Sequence, residues 1–211
     1  MAKFKILDID NWNRREHYHF FKSFDEPFYG LTADVKCTGG YKWCKANEES
    51  FSLFYMHSIL KAVNSVKAFR LRITDEDKVV EFESIGISST VLRDDKTFGF
   101  SNIAYNDDFK VFNKMVNKEF ERVKNSSGLD VSKNTIDVIH FSSIPWVKFT
   151  SISHARTFGT KDSCPKISVG KLTDISGEKV IPVSVHVHHA LVDGYDVGLF
   201  FQALENNLNQ Y

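Results

Sequence analysis

Residues 180–189 read Val-Ile-Pro-Val-Ser-Val-His-Val-His-His and form the longest strand candidate in the chain. Side chains of a strand alternate between two faces with period two. Val183, Val185 and Val187 therefore share one face, and His189 has their parity. Ser184, His186 and His188 take the other face. A tight bend follows, ended by Gly194, and Val197, Phe200, Phe201, Leu204 and Leu208 then form a helical apolar stripe to the C-terminus.

The rest of the chain supplies partners for that strand. Residues 136–141 and 167–172 are strand-like, and Asp174-Ile175-Ser176-Gly177 is a turn. Residues 11–24 predict a helix with aromatic residues interleaved among charges. Residues 51–66 predict a stronger helix, with Leu53, Met56, Leu60 and Val63 near the 3.6 period. Asn106 is a good N-cap, with Asp107 and Asp108 in the first turn. The stripe Phe109, Phe112, Val116, Phe120, Val123 runs from it to the stop Asn125-Ser126-Ser127-Gly128. The charged runs 75–78 and 93–96 read as solvated turns. Strands mixed with unequally spaced helices predict an α+β fold, a two-layer sandwich of helices on a mixed β-sheet. With no repeat, no Gly/Ser-rich linker and only four prolines, the expectation is a single domain over 1–211.

Composition narrows the function classes. Lys+Arg and Asp+Glu balance at 27 each, which removes the electrostatic argument for nonspecific nucleic-acid binding. No run approaches the roughly 18 apolar residues of a membrane span. The N-terminus lacks the apolar core of a signal peptide. Cys37, Cys44 and Cys164 are odd in number and lack metal-ligand spacing, so the expectation is reduced thiols in a cytoplasmic protein. The 19 Phe residues need a core, an interface or an apolar pocket to bury them.

His189 ends the valine row, where burial favours a neutral imidazole, the form a general base requires. Asp193 lies four residues on, where the bend can return it toward the site. His186 and His188 share a face, as two metal ligands would, but no third ligand is near in sequence. His188 reads as a packing residue.

His188-His189-Ala190-Leu191-Val192-Asp193-Gly194 resembles the HHxxxDG signature of the chloramphenicol acetyltransferase family. Three further segments are similar to the same family in the same order: 11–17 to its W-x-R-[RK]-E-H segment, Thr97-Phe98 to its E-T-F segment, and 142–149 to its S-x-x-P-W-V-x-F segment. The resemblance implies an acetyl-CoA-dependent O-acetyltransferase, with acetyl-CoA as co-substrate and no tightly bound cofactor. His189 would be the general base and Ser142 the oxyanion donor. Asp193 would pair with Arg14 to hold the loop, without acting as a relay. Phe20, Phe21, Phe98, His154 and Ser168 would bind the acceptor, chloramphenicol being the first candidate. Trp146 and Lys171 would contact coenzyme A. The family also implies a homotrimer with sites between subunits.

Several positions depart from the family pattern. Val192, Tyr195 and Asp196 replace its usual Cys, Phe and His; His154 stands where an apolar pocket residue is usual; Ser168 replaces Thr; and Ser50 replaces Lys. None is the base, the aspartate or the oxyanion donor, so the departures bear on the acceptor and on coenzyme affinity. Rival readings are an acyltransferase for a different hydroxylated acceptor, a dihydrolipoamide acyltransferase core, and a catalytically silent ligand-binding homologue.

Overall fold

A computed structural model describes residues 2–129, 135–156 and 161–210. The residues 180–189 alternation becomes β10 (Glu178–His188), the spine of the larger sheet. It pairs antiparallel on one side with β2 (Phe28–Lys36) and on the other with β8 (Lys166–Val169). The sheet continues in parallel through β7 (Val138–Ser143) to β5 (Gly86–Leu92), and ends at β6 (Phe98–Phe100). A short β9 (Thr173–Ile175) forms a hairpin with the start of β10, turning through Ser176 and Gly177 at positive φ. A small second sheet orders β1 (Phe4–Ile6), β4 (Val79–Phe82) and β3 (Leu71–Ile73).

Among the described residues five α-helices complete an α+β fold: α1 (Arg15–Phe21), α2 (Thr38–Ala46), α3 (Phe51–Ser65), α4 (Phe109–Lys124) and α5 (Gly194–Asn209). The sequence shows one stripe on α3, yet almost the whole circumference is buried, including Phe54, Tyr55, Ser58 and Ile59. A helix apolar all round is a core helix; α3 packs between α5 and α4. The valine row of β10 is buried in the same core as α3 and α5, at 0–1% exposure. Arg72 is also fully buried there. Its guanidinium donates to the backbone carbonyls of Phe69, Leu71, Ile136 and Val138, and the Cys164 side chain adds a further contact.

Four sequence expectations shift. The first helix is shorter than residues 11–24, spanning only Arg15–Phe21. The cap of α4 is Asp108, whose carboxylate accepts from Val111 N at 3.0 Å, while the Asn106 side chain makes a preceding turn by accepting from Asp108 N. Arg93 is buried, not solvated: it donates to the carbonyls of Val123 and Gly128 and braces β5 against α4. β2 and α2 are missing from the sequence expectations, although β2 alternates Tyr29, Leu31, Ala33 and Val35 with Gly30, Thr32, Asp34 and Lys36 and is the main partner of β10. The three cysteines are buried free thiols.

Candidate active site

The chain leaves β10 at His188 and continues one residue in strand register, His189 N donating to Pro27 O at 2.8 Å. His189 is partly buried and held by rings. Phe21 stacks on it at 3.9 Å and 12°, and Tyr29 leans against it at 4.5 Å. Phe21 ends α1, and Tyr29 lies on β2 opposite Val187, so three distant segments make the notch. Phe20 packs edge-on against Phe21 and is 61% exposed. His189 Nδ1 is buried without a hydrogen-bond partner among the described residues. An orphaned polar atom of this kind asks for a physical explanation.

Asp193 does not supply that partner. Its carboxylate caps α5, accepting from Tyr195 N at 3.0 Å and Asp196 N at 3.4 Å, and it pairs with Arg14 Nη1. Burial alone raises this carboxyl, but Arg14 and the α5 N–H groups outweigh it and hold the pKa below the usual value. Arg14 Nη2 reaches on to His189 O at 3.3 Å. The ion pair thus grips the backbone of His189 and not its ring. Asp196 completes a capping box by accepting from Asp193 N at 3.1 Å. This departure from the family pattern is spent on the helix terminus.

Ser142 lies elsewhere. It aligns with Ser168 on β8, which aligns with Ser184 on β10, five residues before His189. That separation is roughly 16 Å along the strands and about 10 Å across them. Parity also puts Ser142 on the face of Ser184 and His186, opposite the valine row. Ser142 opens into a cleft of about 400 Å³ whose apolar walls are Phe98, Phe100 and Phe141. Ser88, Thr90, His140, His154 and Lys166 join it as the polar lining. Ser168 has the parity of Ser142 but is fully buried, with its hydroxyl unpartnered and outside the cleft lining. Trp146 is 69% exposed on the turn after β7, and Lys171 N donates to Val147 O beside it, so the two expected coenzyme contacts sit at one edge.

The structure therefore gathers the expected residues into two groups. His189, Arg14, Asp193, Phe20 and Phe21 form one; Ser142, Phe98 and His154 form the other, with Ser168 beneath. Sequence reading misses Tyr29, His140 and Lys166. The signal for two of them is parity, since His140 lies two before Ser142 and Lys166 two before Ser168. Among the described residues, no group of three or more His, Cys, Asp or Glu side chains is placed to hold a metal ion.

Residues 2–205 match the sequence profile of the chloramphenicol acetyltransferase family. The chain belongs to that family. It is an acyltransferase enzyme by this membership. A chloramphenicol acetyltransferase from Clostridium perfringens is 27% identical, the alignment spanning 99% of this chain and 96% of that one. Chloramphenicol acetyltransferase 3 from Escherichia coli is 29% identical over 96% of each. A solved chloramphenicol acetyltransferase superposes with a TM-score of 0.91 at 28% identity, covering 98% of this chain and all of the other. A probable dihydrolipoamide acetyltransferase from Listeria monocytogenes shares the fold at a TM-score of 0.69 and 16% identity, covering 97% and 94%.

Proposed function

We propose that the chain, as one domain over 1–211, transfers acetyl from acetyl-CoA to a hydroxyl of a small acceptor, either chloramphenicol or a different hydroxylated molecule. The observation that carries this reading is the placement of His189. It is an imidazole clamped between rings, with its backbone gripped by Arg14 and its neighbouring carboxylate committed elsewhere. With Nδ1 buried, Nε2 is the nitrogen assigned as base. It takes the acceptor hydroxyl proton as that oxygen bonds to the thioester carbon. The carbonyl electron pair moves onto oxygen, where the Ser142 hydroxyl donates to it. Collapse breaks the C–S bond, and the imidazolium returns the proton to the coenzyme thiolate. Holding both substrates together makes the step effectively unimolecular and needs no acyl-enzyme.

His189 and Ser142 are too far apart within one chain to serve one reacting centre. The arrangement fits a homotrimer in which His189 of one subunit meets Ser142 and the cleft of its neighbour. Phe20, Phe21, Phe98 and His154 then bound the acceptor, Ser168 lies buried beneath without reaching it, and Trp146 with Lys171 receives coenzyme A. In this reading the protein is cytoplasmic, and no helix among the described residues is long and apolar enough to cross a membrane. The test is thiol release from acetyl-CoA with chloramphenicol and a panel of other alcohols. His189→Ala is expected to lower kcat by roughly 10²- to 10⁴-fold. Undiminished transfer in that variant overturns the base assignment.

A further inference from the structure

The cleft beside Ser142 is unusually polar for a pocket that takes a lipophilic alcohol. Its floor is one face of three adjacent strands, where Ser88, His140 and Lys166 stand level across β5, β7 and β8. Lys166 is buried, 6% exposed, and Asp162 holds its ammonium at 2.6 Å while Cys164 O accepts at 3.3 Å. An ammonium has three donors, and beyond these two contacts the Phe28 ring lies 4.8 Å from the nitrogen. His154 closes the cleft, its ring edge-on to His186 at 4.9 Å. His154 Nε2 is buried with no partner among the described residues. Gly30 makes room for His186, because a Cβ there meets its ring at 2.3 Å.

The charge balance matters. Lys166 is matched by Asp162, so among the described residues that line the cleft no cation is left to neutralise an anion. Burial, with Lys166 nearby, pushes His140 down to about 4, and burial with His186 and Lys166 does the same to His154. Both rings are therefore neutral near pH 7, each offering one N–H and one lone pair. Ser88, Thr90 and Ser142 add hydroxyls that donate and accept. Alternating donors and acceptors above an aromatic wall match hydroxyl groups carried on a ring whose C–H face lies on Phe98 and Phe100.

Resting on the acetyl-transfer reading, we propose that the acceptor is a neutral, hydroxyl-rich molecule of the sugar or polyol type, selected by His140, His154 and Lys166. An acceptor that puts apolar groups against these residues leaves buried donors and acceptors unpaired, a loss of roughly tenfold or more per group. Chloramphenicol, with its nitrophenyl and dichloroacetyl groups, is then the poorer acceptor.

The test compares kcat/KM for phenyl β-D-glucoside and chloramphenicol, both with acetyl-CoA. The parent enzyme is expected to favour the glucoside. His154→Leu removes a ring nitrogen that has no hydrogen-bond partner among the described residues and is expected to shift the ratio toward chloramphenicol by about tenfold. The pair Lys166→Met with Asp162→Asn removes the charge without stranding its partner and is expected to shift it the same way. A parent enzyme that favours chloramphenicol, or a ratio unmoved by both variants, overturns the inference while leaving acetyl transfer by His189 intact. If neither alcohol is acetylated, the acetyl-transfer reading fails, and calorimetric binding decides the inference on its own. Glucoside binding weakened by His154→Leu supports it; equal or stronger chloramphenicol binding by the parent protein overturns it.

Discussion

Arg14 Nη1 donates to the carboxylate of Asp193 across 179 residues of chain, and Nη2 of the same guanidinium donates to the backbone carbonyl of His189. One side chain therefore ties the entry to α1, the N-cap of α5 and the carbonyl of the proposed base. Asp193 also accepts two N–H groups of α5, so its removal loses a cap and strands Arg14. Asp193→Ala is expected to lower unfolding free energy by roughly 2 kcal/mol, a cap plus an ion pair discounted for solvent. Arg14→Ala leaves the cap in place. It loses the ion pair with Asp193 together with the contact to the His189 backbone, and is expected to lower kcat by about tenfold with a smaller loss of stability than Asp193→Ala. Urea unfolding and steady-state thiol release separate the two effects.

Phe21 is the ring that orients His189, stacked at 3.9 Å. An aromatic pair of this kind contributes about 0.5–1.5 kcal/mol. Phe21→Ala is expected to reduce kcat/KM by roughly 3- to 10-fold, and Phe21→Tyr to retain most of the activity. Equal activity in Phe21→Ala and the parent shows that the ring does not position the imidazole.

Ser142 and His189 lie on opposite sheet faces, five residues apart in register and two strands across. In the trimeric reading they belong to one site only when contributed by neighbouring subunits. His189→Ala and Ser142→Ala are each expected to be nearly inactive, the second by about 100-fold. Unfolded together and refolded at equal amounts, they are expected to regain about a quarter of parent activity, the fraction of interfaces with both native residues. Absence of any regain in a verified mixed trimer sinks the shared-site arrangement.

Acid sensitivity follows from the histidines of the outer sheet face. His140, His154 and His188 are each held down to about 4, first by burial. Nearby charge adds to it: Lys166 acts on the first, His186 and Lys166 on the second, and Arg156 on the third, while Asp162 opposes it at His140 and His188. The folded protein keeps these rings neutral where the unfolded chain, with pKa near 6.5, binds protons. Their contribution is therefore fully present above about pH 6.5 and lost as pH falls toward 4. Stability is expected to drop by at least about 1.4 kcal/mol per pH unit in that window, the slope of one such group. Urea midpoints at constant m between pH 7 and pH 4.5 measure it, and a flat profile removes the buried neutral histidines from the account.

The sequence alone determined the parts that depend on local periodicity. The valine alternation of β10, the stripes of α4 and α5, and the spacing of His189, Asp193 and Gly194 are properties of short segments and survive as read. β2 alternates as β10 does, Tyr29, Leu31, Ala33 and Val35 against Gly30, Thr32, Asp34 and Lys36, and what its sequence leaves open is its place beside β10, which only the pairing of distant segments decides. The all-round burial of α3 and the burial of Arg93 were likewise invisible, because burial depends on what packs from elsewhere. At the site, the family resemblance in the sequence supplied the names of the proposed base and of its ion pair. Only the tertiary structure decided that Phe21 and Tyr29 clamp His189, that the carboxylate of Asp193 is turned away from its ring, and that Ser142 opens into a different, histidine-lined cleft. The physical reason is that strand parity orders side chains within a segment. The register between segments sets which of those side chains meet.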